Sequence, residues 1–172
     1  KMDAADPFAL RFNGKYYLYT TGAEEIRVYE SEDLVHWTFK GHCTRDGQGR
    51  IAYAPEVFYW RGAFYMITSP SGNGHYIMKS DSPLGPFDRV TENFGFSIDG
   101  SLFAGDDGRL YMLNLTGGRS ISITEVDQNR LTPKGTNKST GVTLNHWTEG
   151  PGLIRRGDWY YLTFTGNHYL ST

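Results

Sequence analysis

The chain has 172 residues and a formal net charge of −2, from 17 lysines and arginines set against 19 aspartates and glutamates. That length suits one domain and is short for two, and without a basic excess nothing points to nucleic acid or a membrane surface as partner. The lone Cys43 excludes an internal disulfide framework and a cysteine-only zinc site, and no apolar run nears the ~20 residues that span a bilayer.

Taken from the N-terminus, "KMDAADPF" has no signal-peptide layout and enters structured sequence at once, so localisation stays open. Aromatic residues reach 15%, and the 21 glycines make up about 12% against a usual ~7%, which points to many short strands and tight turns. The first element, "ADPFALRFNGKYYLYTTG" (5–22), opens on Asp6-Pro7, runs through an apolar strand, turns at Gly14 and continues into a strand built on Tyr17. Residues 23–40 lack Gly and Pro, yet Ile26 and Val28 alternate with polar or aromatic neighbours, so "IRVYES" reads as a third strand. "SEDLVHWTF" then reads as a turn into a fourth.

The layout recurs. "YAPEVFYWRGAFYMITSP" (53–70) is followed by "YIMKSD" and "SDSPLGPFD"; "IDGSLFAGDDGRLYMLNLTG" (98–117) is followed by "ISITEV"; "EGPGLIRRGDWYYLTFTG" (149–166) starts a fourth copy. Gly14, Gly62, Gly108 and Gly157 are spaced by 48, 46 and 49, and Tyr17, Tyr65, Tyr111 and Tyr161 by 48, 46 and 50. Asn13-Gly14 and Asp107-Gly108 are favoured pairs for type I′ hairpin turns, which need positive φ at both central positions. Second strands such as "YYLYT" and "YYLTFT" are rich in aromatic, β-branched and leucine residues. No segment has the period of an amphipathic helix.

Four strands per ~45–50-residue unit is the pattern of a propeller blade. The competing reading, a β-sandwich with accidental self-similarity, leaves so regular a period unexplained. The fold class is therefore an all-β propeller in a single domain over 1–172. Opening at the innermost strand of one blade and stopping inside the second strand of its fourth, it reads as a piece of a longer protein. An open ring would otherwise expose long strand edges.

Innermost propeller strands run the same way, so the residues that open each repeat gather around the axis on one face. Here they are Asp6, Ala54, Asp99 and Glu149. Three converging carboxylates suit glycoside hydrolysis, in which one carboxyl protonates the leaving oxygen and another activates water or attacks the sugar. A third negative charge raises the pKa of the acid. Each residue taken singly also has a plainer reading as a turn residue, since Asp-Pro and Asp-Gly are turn signals. Asp106 and Asp107 belong to an outer turn and receive no chemistry. Tyr53, beside the pocket, either stacks on a sugar ring or packs. Glu56 either faces the cleft or makes a structural hydrogen bond. His75 in "SGNGHY" and His168 are candidate contacts to substrate hydroxyls, set against the solvated state usual for a lone loop histidine. Neither they nor His146 has metal-ligand spacing to another histidine. "SGNGHY" lacks the third glycine of a dinucleotide fingerprint and the Lys-Ser/Thr of a phosphate loop, and no Gly-x-Ser-x-Gly or His-Glu-x-x-His is present.

The four ordered motifs "ADPF…GKYYLYTTG", "YAPEV…GAFYMITS", "IDGSLFAGDDGRLYML" and "EGPGLI…YYLTFTGNHY" resemble glycoside hydrolase family 43, over essentially the whole chain. The resemblance implies a propeller of the five-bladed type, of which this chain covers about three and a half blades. It also implies an inverting glycosidase acting on arabinose- and xylose-containing plant polysaccharides (arabinofuranosidase, xylosidase or arabinanase). By the same resemblance Asp6 is the general base, Asp99 the group that tunes and orients the acid, and Glu149 the general acid. In an inverting enzyme the base and acid carboxyls stand ~6.5–9.5 Å apart. The chain departs from the family in carrying Tyr53 where Trp is usual and Gly100 where Pro is frequent. The fifth blade, which brings a histidine linked to an axial calcium and an arginine near the sugar, has no counterpart here. No cofactor is expected in the chemistry itself, and the expected partner is a carbohydrate. Three rivals stand beside this reading. The fructan-acting propellers carry Glu-Cys where this chain has Glu149-Gly150 and Arg-Asp-Pro where it has "SIDGS", and both count against them. The others are a non-catalytic carbohydrate-binding propeller, which has no need of three carboxylates in register, and an inactive fragment of the enzyme.

Overall fold

A computed structural model describes residues 4–22, 25–45, 52–117, 119–143 and 148–166. Their elements are all strands joined by turns, in separate sheets that follow the repeats. The first sheet has the order β1 (Ala5–Phe12), β2 (Lys15–Thr21), β3 (Arg27–Ser31) and β4 (Thr38–His42); the second, β5 (Ala52–Trp60), β6 (Ala63–Pro70), β7 (Tyr76–Ser80) and β8 (Asp88–Arg89). The third runs β9 (Ser101–Ala104), β10 (Leu110–Thr116), β11 (Ser120–Val126) and β12 (Pro133–Thr143), and β13 (Glu149–Arg156) pairs with β14 (Trp159–Thr165). All pairings within these sheets are antiparallel between sequence neighbours. These are three four-stranded blades and two strands of a fourth, the meander expected from the repeat.

Turn chemistry explains the hairpins, with one revision. Asn13-Gly14 has positive φ at both positions, as does Arg61-Gly62, so both are type I′ turns and Arg61 carries the steric cost that Asn13 largely avoids. At Asp107-Gly108 only Gly108 is left-handed. There β9 and β10 are joined by five residues, 105–109, held by Gly108 N–H on the Gly105 carbonyl and Gly105 N–H on the Arg109 carbonyl. Asp107 serves this turn by accepting from Arg109 N and the Tyr111 hydroxyl, and Asp106 pairs with Arg155 of the next blade. Nothing in "PKGTNKSTGVT" announces the strand β12, since its lysines, glycines and asparagine argue against a strand. It pairs through an interrupted ladder at an exposed edge, where such residues discourage further pairing.

The core lies between blades rather than within one. Tyr17, Tyr19, Ile26 and Val28 of the first blade meet Val57, Phe64, Met66 and Met78 of the second. Ala63, Tyr65, Ile67 and Ile77 on the opposite face of that second blade meet Leu102, Leu110 and Met112 of the third, and Leu113, Leu115 and Ile121 meet Leu153, Leu162 and Phe164. This explains why β6 is buried at seven successive positions and shows no alternation, since both its faces are covered. Burial of each such side chain stabilises by ~1.5–3 kcal/mol. Side-by-side stacking of blades brings β1 against β5, β5 against β9 and β9 against β13, so the innermost strands stand around a common axis.

Candidate active site

Three of the four innermost strands begin with a kink. At Asp6-Pro7 the pairing jumps from Ala5↔Thr21 to Phe8↔Tyr19; at Ala54-Pro55 from Tyr53↔Ser69 to Glu56↔Ile67; at Gly150-Pro151 from Glu149↔Thr165 to Gly152↔Thr163. The first residue of each kink is left-handed, with φ of 47°, 48° and 54° at Asp6, Ala54 and Gly150, and Asp99 ahead of β9 has φ of 57°. Proline follows because the kink needs no ladder donor there. Aspartate tolerates the left-handed region better than most residues, and glycine takes it without strain.

The kinks revise one register. The equivalent positions are Asp6, Ala54, Asp99 and Gly150, and Glu149 stands one residue earlier, level with Ala5 and Tyr53. The glycine spacing concealed this offset. Gly157 is the first residue of its two-residue turn, whereas Gly14 and Gly62 are the second of theirs, so aligning the glycines shifts the fourth repeat by one.

Beneath the kinks lies a pocket of about 730 Å³ along the axis, walled by Asp6, Ala54, Glu56, Asp99 and Gly150 and, deeper, by apolar side chains such as Leu10, Val57 and Leu153. Glu149 is half-buried beside Gly150, just outside that wall. The three carboxylates interact. Burial is the main cause that pushes the Asp99 carboxyl up to about 6; the Gly150 N–H, 3.2 Å from Oδ2, pulls it down, and the negative charges of Glu149 and Asp6 push it up further. Asp6 is solvent-exposed and its Oδ2 accepts from Thr21 Oγ1 at 2.6 Å. Thr21 Oγ1 in turn accepts the Ala54 N–H at 3.0 Å. An amide N–H can only donate, so the hydroxyl proton is directed at Asp6, and Thr21 fastens the first carboxylate to the second blade.

The other sequence candidates divide. Glu56 lines the pocket and also bonds across blades: its Oε1 accepts from Ser101 Oγ and Leu102 N, both at 2.9 Å. Burial pushes its carboxyl up to about 7 against those two donors. Tyr53 is exposed at the rim, its ring beside Gly72, and does not enter the pocket wall. His75 differs from both readings given it. It is fully buried, neither solvated nor in the pocket wall, with Nδ1 on the Gly95 carbonyl at 2.8 Å and Nε2 taking the Gly100 N–H at 2.7 Å. His168 and His146 lie outside the described residues. Thr21 escaped sequence reading. Its signal was a hydroxyl residue near the end of the second strand, opposite the residue before the kink, in three of the four repeats: Thr21, Ser69 and Thr165. For the axial calcium implied by the resemblance, the described residues hold no group of three or more His, Cys, Asp or Glu side chains placed to ligate a metal, and the deeper pocket is apolar; on their own they do not fit that ion.

Comparison with known proteins places this arrangement. Over 91% of its length the chain is 32% identical to a xylan 1,3-beta-xylosidase of a Vibrio species, of which it spans 35%. It is 28% identical, again over 91%, to a non-reducing end alpha-L-arabinofuranosidase of Bacteroides ovatus, of which it spans 33%. The chain thus spans about a third of the length of these curated relatives. The crystal structure of a thermostable family-43 glycoside hydrolase superposes with a TM-score of 0.83 at 29% identity, over 98% of this chain and 65% of that one. The three blades and a half are accordingly part of a five-bladed propeller. With the profile of glycosyl hydrolases family 43 matching residues 1–169, the chain belongs to that family.

Proposed function

We propose that this chain supplies the catalytic carboxylates of an inverting glycoside hydrolase acting on arabinose- or xylose-containing plant polysaccharides or their oligosaccharides. The observation that carries the reading is the meeting of Asp6, Asp99 and Glu149 at the mouth of the axial pocket, close enough for Asp99 to feel both other charges. Family membership and the xylosidase and arabinofuranosidase relatives support the substrate class.

In this mechanism Asp6 takes a proton from water as the water oxygen bonds to the anomeric carbon. The bond from that carbon to the leaving oxygen breaks on the opposite face, and Glu149 delivers its proton to that oxygen. Asp99, held by the Gly150 N–H at the base of the Glu149 strand, orients the acid and keeps negative charge near it above about pH 6. The Thr21 hydroxyl aims the Asp6 carboxylate.

The test is hydrolysis of p-nitrophenyl α-L-arabinofuranoside, p-nitrophenyl β-D-xyloside and linear arabinan. It is run with the 172-residue chain and with a polypeptide long enough to close the ring, and the first-formed anomer is read by proton NMR. Inversion is expected. Asp6→Asn should lower kcat by about 10²–10⁴-fold on every substrate. Glu149→Gln should do so on substrates with poor leaving groups, and far less on aryl glycosides that leave without a proton. A retained anomer, or equal losses on both classes in Glu149→Gln, would reject the assignment.

A further inference from the structure

We infer that His75 is a positioning residue for Asp99: its imidazole clamps both ends of the 95–100 stretch, the part of the crossover that carries Asp99 to the pocket, through the carbonyl of Gly95 and the N–H of Gly100. The inference rests on the assignment of Asp99 to the active site. It concerns how this chain holds that residue, which the proposed chemistry leaves open.

The crossover joins the second blade to β9 and has an uncommon backbone. Gly95, Phe96, Ser97 and Asp99 are all left-handed, with φ of 84°, 72°, 62° and 57°. Three of the four carry side chains that disfavour that region, so the path persists only if its surroundings hold it. They do so through the loop between β6 and β7, the "SGNGHY" stretch. Gly74 N–H donates to the Ser97 carbonyl at 2.5 Å and Phe94 N–H to the His75 carbonyl at 2.9 Å. Asn93 takes the Gly95 N–H on Oδ1 and reaches the Asn73 carbonyl with Nδ2.

At the centre of this clamp sits the His75 ring. A carbonyl only accepts, so Nδ1 must carry the proton it gives to Gly95, and in the neutral ring Nε2 is then the acceptor for Gly100 N–H. Burial holds the imidazole below its ordinary pKa, against the pull of the Gly95 and Ile98 carbonyls, and so favours this neutral form. Phe94 stacks on the ring at 6.1 Å. The fit extends to Gly100, where a Cβ would lie 2.8 Å from Nε2 and Cδ2 of His75 and 2.9 Å from Ile67 Cδ1. Glycine at 100 and histidine at 75 are thus one device: the missing side chain admits the ring, and the N–H that proline would lack gives the ring its bond. Asp99 sits directly against that anchored residue.

The test starts with the unsubstituted protein. Nitrogen-15 NMR of the imidazole should show the Nδ1–H tautomer at neutral pH, and the Gly100 amide should exchange slowly with solvent. An Nε2–H tautomer, an imidazolium or a rapidly exchanging amide overturns the inference whatever the variants do, including variants that fail to fold. His75→Leu and His75→Gln are then compared in kcat, KM and the carboxyl carbon-13 titration of Asp99. Loss of the clamp in His75→Leu should lower kcat by about 10- to 100-fold with KM nearly unchanged, because a misplaced group near the chemistry costs that much. The Asp99 titration should move towards the ordinary aspartate range. His75→Gln, whose amide oxygen can take the Gly100 N–H, should recover kcat to within about threefold. If His75→Leu folds with kcat and the Asp99 titration both unaltered, His75 is only a core histidine and the inference fails. The titration reads the surroundings of Asp99 without turnover, so a protein with no glycosidase activity would reject the functional reading and leave this one decidable.

Discussion

Asp99 shows how a single side chain reports the assembly of the site. Its carboxyl is pushed up to about 6 first by burial and then by Glu149 and Asp6, two residues far from it in sequence. The causes can be separated. Asp6→Asn and Glu149→Gln each remove one repelling charge, so each should lower the Asp99 titration midpoint, followed by carbon-13 NMR of the carboxyl. The double variant should lower it further yet leave it above the ordinary aspartate value, because burial remains. A midpoint unmoved by either change would mean that the three carboxyls do not share a site. The sequence made these three residues visible as acidic groups opening repeats. It could not disclose that Glu149 stands one residue ahead of the others, because a glycine may occupy either place in a two-residue turn.

At the scale of the elements, the strands that frame the pocket are joined to their neighbours by side chains as well as by packing. Glu56 on β5 reaches Ser101 and Leu102 at the start of β9, and in doing so buries a carboxyl whose pKa rises from 4.5 to about 7. The folded state then holds that proton more tightly than the unfolded chain. Between about pH 4.5 and 7 folding takes up a proton, so the stability present below that window is lost as pH rises through it. The shift corresponds to about 3 kcal/mol. Glu56→Gln keeps an oxygen for both donors without the charge. Urea unfolding at pH 5 and pH 8 should therefore show the unsubstituted protein markedly weaker at pH 8. The variant should lose that part of the slope, keeping the contribution of Asp99 below about pH 6 and the opposing one of His75, whose neutral form burial favours. Equal pH dependence in both proteins would show that the Glu56 carboxyl is not held neutral. The first hairpin was legible, since Asn13-Gly14 between aromatic strands announces a two-residue turn, whereas Asp107-Gly108, read the same way, sits in a five-residue connection. The crossover from 90 to 100 was not legible, because it owes its path to a loop some twenty residues earlier folding beneath it. That same tertiary contact turned His75 from an expected loop histidine into a buried one.

Across the whole molecule, the repeat predicts equivalence that stacking then breaks. Tyr17, Tyr65 and Tyr161 fall at matching places on β2, β6 and β14, pairing with Leu10, Phe58 and Ile154. Tyr17 and Tyr65 are 6% and 8% exposed, whereas Tyr161 is 53% exposed. The difference comes from position in the stack: β6 has blades on both sides, while among the described residues no blade covers the face of β14 that bears Trp159 and Tyr161, and its Leu162 and Phe164 turn inward to the third blade. Period and composition identify the blade, but no residue within a blade states whether another blade covers it. The consequence is measurable in the 172-residue chain. Tyr65→Ala removes a large side chain from a closed inter-blade core and should cost ~3–5 kcal/mol in denaturant unfolding. Tyr161→Ala, at the matching place, should change stability by no more than about 0.5 kcal/mol, as is usual for an exposed site. Comparable losses at both positions would mean that in solution a second copy covers the β14 face, and the Tyr161 cost should then diminish on dilution.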